Sequence, residues 1–136
     1  MLPASVPRAT FSSVDDYLAA LPVESRVVLA RVLAALHKGV PSAEPVISYG
    51  IPALRSGGRV VVYCAAFTAH YSVYPATREV IEALGDALAP YEYNGKGTIR
   101  FPLTTKVPTA LLTRIARLRA AEEAARGVRR LAAKKR

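Results

Sequence analysis

The side chains with which this chain could do chemistry beyond simple charge attraction are few: two histidines, one cysteine and seven tyrosines. Ser48, Tyr49, Tyr63, His70, Ser72 and Tyr74 lie close together in sequence. Phenol, imidazole and hydroxyl groups that converge in a concavity orient a ligand by hydrogen bonding. His70 as a general base or metal ligand needs a partner to orient its ring, and no carboxylate adjoins it in sequence. His37 falls near the end of a helical pattern, where an imidazolium complements the helix dipole. Ser48 lacks the Gly-x-Ser-x-Gly setting of a hydrolase nucleophile. Residues 94–98 (NGKGT) lack the Walker spacing and read as a turn, whose Lys96, Thr98 and backbone N–H groups can assist an anion. Glu79, Glu82 and Asp86, at spacings of three and four, share one side of a helix and offer the oxygen ligands that divalent cations and ferrous iron prefer. Asp15 and Asp16 form a smaller acidic pair. No cysteine and histidine cluster has zinc spacing, and no catalytic residue is assigned.

These residues must be positioned by helices and strands that the pattern marks out. Ser13 caps a short helix with Asp15 and Asp16 in its first turn, running to about residue 21. Pro22 opens a second helix with Leu29, Val32, Leu33 and Leu36 on one stripe and Gly39 as its stop. A short strand at 46–49 is expected to break at Gly50 and Pro52. After the 56–58 turn, 59–67 is the strongest strand, returning at Thr68 and Ala69 through 70–74. Thr77 caps a helix carrying Val80, Ile81, Leu84 and Leu88, and 98–103 is a further strand. Pro108 opens the last helix, with Arg114, Arg117 and Arg119 outside its apolar stripe and fraying expected beyond Gly127. Antiparallel strands among helices without βαβ alternation give an α+β domain, an antiparallel sheet packed against helices in two layers.

Period-two alternation then sorts the central hairpin. A two-residue turn at 68 and 69 sets Tyr63 opposite Tyr74, Ala65 opposite Ser72 and Phe67 opposite His70, all on one face. Val60, Val62, Cys64, Ala66, Tyr71 and Val73 form the other, more apolar face that helices should cover. Cys64 is thereby expected to be a buried, inert thiol. The polar face is open to a ligand, to solvent or to a covering helix.

Composition bounds the rest. Hydrophobic residues make up 51% and charged residues 21%, the proportions of a globular domain rather than a disordered chain. The longest uncharged stretch is broken by His70, Tyr71, Ser72 and Pro75, so no membrane span is expected, and the first dozen residues lack the apolar run of a secretory signal. A single cysteine fits a reducing compartment, hence a cytoplasmic location. The net charge of +9 is uneven: residues 114–136 hold nine basic and two acidic residues, +7, which leaves +2 for residues 1–113. A flexible segment 1–11, one domain at 12–125 and a basic tail at 126–136 are expected. The tail attracts polyanions without reading sequence.

Three ordered segments carry a resemblance: 47–54 (ISYGIPAL), 63–75 (YCAAFTAHYSVYP) and 96–103 (KGTIRFPL), followed by Val107, Pro108 and a helix. The chain resembles the YdhG-like family, a widespread bacterial domain of unassigned function, over about residues 12–122. The resemblance implies an α+β fold with an antiparallel sheet on helices. Some members are described as frataxin-like iron chaperones, so it also implies iron as a cargo. Two binding functions stay open, beside an enzymatic reading that keeps His70 as acid or base without a positioned nucleophile or orienting carboxylate. One is a non-enzymatic cytoplasmic binding module that takes iron or a small anionic ligand through Ser48, Tyr49, Tyr63, His70, Ser72, Tyr74, Lys96 and Thr98, with Glu79, Glu82 and Asp86 as metal ligands. The other is an accessory binder of nucleic acid or another polyanion through Arg114, Arg117, Arg126, Arg129, Arg130, Lys134, Lys135 and Arg136.

Overall fold

The computed structural model describes residues 11–134, with the side chain of residue 134 left out. Helix α1 (Val14–Ala19) is capped by Ser13, whose Oγ accepts the Asp16 N–H at 3.1 Å. Helix α2 (Val23–Gly39) follows, with Pro22 as its N-cap rather than its first residue. Six strands come next: β1 (Glu44–Ser48), β2 (Ile51–Ser56), β3 (Arg59–Ala66), β4 (His70–Tyr74), β5 (Glu92–Tyr93) and β6 (Ile99–Pro102). Between β4 and β5 lie α3 (Arg78–Leu84), capped by Thr77, and a 3₁₀ turn (Gly85–Leu88). Helix α4 (Thr109–Lys134) closes the described chain. No helix among the described residues is long and apolar enough to cross a membrane.

All strand pairs are antiparallel, in the order β1-β2-β3-β4-β6-β5. The central register is the expected one: Tyr63 faces Tyr74, Ala65 faces Ser72, and the Phe67 N–H donates to the His70 carbonyl across the two-residue turn. Leu54, Val62, Cys64, Ala66, Tyr71, Val73, Ile99 and Phe101 enter one core cluster with Leu29, Val32 and Leu36 of α2 and Leu112 and Ile115 of α4. Burying each such aliphatic side chain is worth about 1.5–3 kcal/mol, so this inner face is where the fold is held. Ala53 and Ala65, on the other face, are buried outside that cluster.

Three readings of the sequence are corrected. Residues 51–56 form a strand. Tyr49 and Gly50 have positive φ, 52° and 80°, so the turn sits there and the chain pairs back at once. Pro52 is tolerated because β2 pairs with β3 only from Ala53 onward, leaving the proline with a partner on one side alone. The two-residue β5 was also unassigned. Finally, α4 does not fray at Gly127 but continues to Lys134, across the boundary expected at 126, because Ala and Arg favour helix whether or not an apolar stripe accompanies them.

Candidate functional site

Residues paired across strands share a face, so the ladder lays out the outer face in rows. One row holds Ala53, Tyr63 and Tyr74. The next holds Ser48 and Ile51, then Ala65, Ser72, Arg100 and Glu92. The third holds Phe67, His70 and Pro102. Small side chains therefore line a floor between two aromatic walls. In one wall Tyr63 stacks on Tyr74 with ring centroids 5.7 Å apart and Tyr49 tilts against Tyr63 at 6.1 Å; in the other Phe67 stacks on His70 at 4.8 Å. Ala65 and Ser72, between those walls, are buried.

The floor stays open above Ala65. A cavity of about 180 Å³ lies there, bounded by Ile51, Phe67 and Tyr74, by Tyr49 and Gly50 of the first hairpin turn, and by Phe11, Tyr17 and Leu21. Helix α1 closes its inner side. The Tyr17 hydroxyl accepts the Ala66 N–H at 3.2 Å, where β3 runs past the start of β2 and would otherwise leave a buried donor unpaired. The Tyr17 O–H proton has no acceptor among the described residues. Burial raises the Tyr17 and Tyr74 hydroxyl pKa values, so both stay protonated as donors at neutral pH.

The structure therefore divides the expected ligand set. Tyr49 and Tyr74 line the cavity, and Ser48 and Tyr63 stand behind them, joined by a 3.3 Å hydrogen bond. Ser72 is buried and does not line the cavity. His70 is cut off by Phe67 and borders a different concavity of about 330 Å³ with Tyr91, Glu92 and Arg100. Burial and the Arg100 charge lower the His70 pKa, so its ring is neutral at pH 7. Lys96 and Thr98 lie in the 94–98 turn, and their backbone N–H groups are already taken by Asn94 Oδ1 at 2.7 and 3.1 Å. Those two N–H groups are therefore not free to bind an anion.

No three His, Cys, Asp or Glu side chains among the described residues converge as metal ligands. Glu82 instead pairs with Arg78, and Glu79 turns toward Glu122 of α4. Cys64 is buried and its thiol pKa is pushed far up by loss of solvent, so the inert reading stands. Of the basic set, Arg114 and Arg117 are exposed on α4, and Arg114 donates to the Ala83 carbonyl at 2.8 Å. Arg126 pairs with Glu123, while Arg129 and Arg130 are exposed. Lys135, Arg136 and the side chain of Lys134 lie outside the described residues.

One polar cluster was missed. Arg119 is buried, not outside the apolar stripe: its Nε donates to the Val61 carbonyl at 2.9 Å, and its two Nη atoms meet Glu122 and Glu123 at 2.9 and 2.8 Å. Glu123 also accepts from Arg59 and Arg126, and Glu122 from Thr77. The i,i+3 and i,i+4 spacing of Arg119, Glu122 and Glu123 was the available signal, but it reads equally well as a solvated face. The β-bulge at Leu54 and Arg55 accompanies the display of the Val61 carbonyl to α4.

No protein family's sequence profile matches the chain, and neither does any curated protein. Among solved structures it is similar to the crystal structure of YdhG, a protein of the DUF1801 family from Bacillus subtilis. The TM-score is 0.73 at 22% identity, over 82% of this chain and 91% of that one. The fold is therefore YdhG-like: among the described residues, a six-stranded open antiparallel sheet with four helices.

Proposed function

We propose that this YdhG-like domain is a non-enzymatic binding module whose ligand is a single small flat ring, held over Ala65 between Tyr74, Phe67 and the Tyr49 turn. The observation that carries the reading is the cavity, an apolar concavity with Tyr17 and Tyr74 as protonated phenols at its border. Its volume of about 180 Å³ lies below the ~300–1,000 Å³ of sites for drug-sized molecules, which limits the occupant to about one ring. Tyr17 supplies an O–H donor, so a ring bearing a carbonyl, carboxylate or phenol oxygen suits it better than a pure hydrocarbon. A buried thiol and a histidine without a free carboxylate give no support to catalysis, since Glu92 beside His70 is engaged with Arg100 at 3.8 Å. The free Cys64 thiol suits a reducing, cytoplasmic setting.

Heteronuclear NMR titration with phenol, benzoate, nicotinamide and indole provides the test. Saturable shifts should centre on Ala65, Phe67 and Tyr74, and Ala65→Leu, which fills the floor, should abolish them while the rest of the spectrum is kept. Unchanged binding to that variant sinks the reading. Ferrous iron added anaerobically is the competing arm: saturable broadening around Glu79, Glu82 and Asp86 without ring binding would favour the iron-carrying alternative.

A further inference from the structure

The large apolar side chains left exposed among the described residues include two groups at opposite ends of β3. At the Ala66 end, Val23 and Val27 of α2 are 65% and 49% exposed and Phe67 is 37% exposed. They line a groove of about 1030 Å³ that runs between α2, the β3–β4 turn and Leu103. At the Arg59 end, Val128 and Leu131 of α4 are 67% and 62% exposed beside the β2–β3 turn. The eight residues of β3 separate the groups by roughly 26 Å, so they cannot meet within one molecule.

Charge distinguishes the two groups. The only charged residue among those lining the groove is Glu24, since the nearby Arg26 turns its guanidinium onto the Leu18, Ala19 and Leu21 carbonyls at the end of α1. Around Val128 and Leu131 the helix carries Arg126, Arg129 and Arg130, of which Arg126 is held by Glu123 and the other two are exposed. A basic helix end with an apolar side and an apolar groove with one acid complement each other in both respects.

We propose that the occupant of the groove is a second copy of this chain, with the Val128–Leu131 side of α4 from one molecule seated on Val23, Val27 and Phe67 of another. The groove adjoins the ring cavity through Leu21, Ala66 and Phe67, but neither reading requires the other. The contact joins unlike surfaces, so a molecule disabled at one end still presents the other.

Sedimentation velocity from about 1 µM to 1 mM spans the range in which a contact of this modest size associates. The native chain should grow in mass with concentration. Val27→Asp and Leu131→Asp, both at exposed positions that leave the core intact, should each be monomeric throughout. An equimolar mixture of the two should form a one-to-one pair, because one variant keeps the helix end and the other keeps the groove. A native chain that stays monomeric, a single variant that associates like the native chain, or a mixture that remains monomeric would each overturn the proposal.

Discussion

Tyr71 is a core side chain whose hydroxyl is buried without a hydrogen-bond partner among the described residues, while its ring stacks on Phe101 at 5.0 Å. An unpaired buried hydroxyl costs about 1–3 kcal/mol, and removing it leaves the ring packing in place. Tyr71→Phe should therefore stabilise the protein by about 1 kcal/mol, read as a higher urea midpoint at unchanged slope. His70 makes stability depend on pH. Its pKa is lowered by burial and by Arg100, so the unfolded chain binds the proton more readily. Its contribution to stability is full above the ordinary histidine pKa of about 6.5 and is lost as pH falls through and below that value. His70→Gln should flatten the stability profile between about pH 5 and 7. At this scale the sequence was informative about identity but not about company. It placed Tyr74 on the polar face, yet Tyr17 and Phe11 reach the same cavity from residues far away in the chain, and no local pattern announces that.

Helix α4 is fixed by two contacts that a sequence pattern does not display. The Arg119, Glu122 and Glu123 group ties it to the Val61 carbonyl, to Arg59 and to the Thr77 cap of α3. Burial raises the pKa of both carboxylates, but the hydrogen bonds outweigh it: Glu79, Arg119 and Thr77 bond Glu122, and Arg119 and Arg59 bond Glu123, so the net shift is downward. Their stabilising effect is present above the ordinary glutamate pKa and is lost as pH falls through the lowered values in the fold. Removing Arg119 leaves Glu122 with the Thr77 hydroxyl and Glu123 with Arg59 and Arg126, but strips the buried pair of its shared cation, so Arg119→Met should cost about 3 kcal/mol at pH 7 and less below pH ~4. Chemical unfolding at both pH values checks it. The second contact is a close approach of α2 to α4. A side chain at Gly39 would run into the Thr113 carbonyl oxygen and would lie 3.0 Å from the Ala116 Cβ, while the Thr113 hydroxyl already donates to the Ala35 carbonyl at 2.7 Å. Gly39→Ala should destabilise by about 1–3 kcal/mol, although Ala is the better helix former, because the crossing has no space to give. The sequence marks Gly39 only as a helix stop. Strand β2, left unassigned by the sequence, was hidden for the related reason that Pro52 is disallowed or tolerated according to which neighbours pair with it.

Over the whole molecule, the positive charge is concentrated on α4 and the residues after it. If polyanion attraction is a function, it should come from that end: a chain truncated after Gly127 loses Arg129, Arg130, Lys134, Lys135 and Arg136. Its affinity for mixed-sequence DNA at low salt should fall at least tenfold, with a shallower dependence on log salt. Equal affinity in a fluorescence anisotropy titration would remove the tail as the cause. The α+β class, the hairpin register, the caps at Ser13 and Thr77 and the apolar side of the sheet were all determined by the sequence alone, because each depends on spacing within a few residues. Which residues enclose a cavity, which arginine is buried and which apolar side chains stay uncovered were decided only by tertiary structure. Enclosure is a property of neighbours from distant segments, and period-two alternation can assign a side chain to a face without saying what lies across from it.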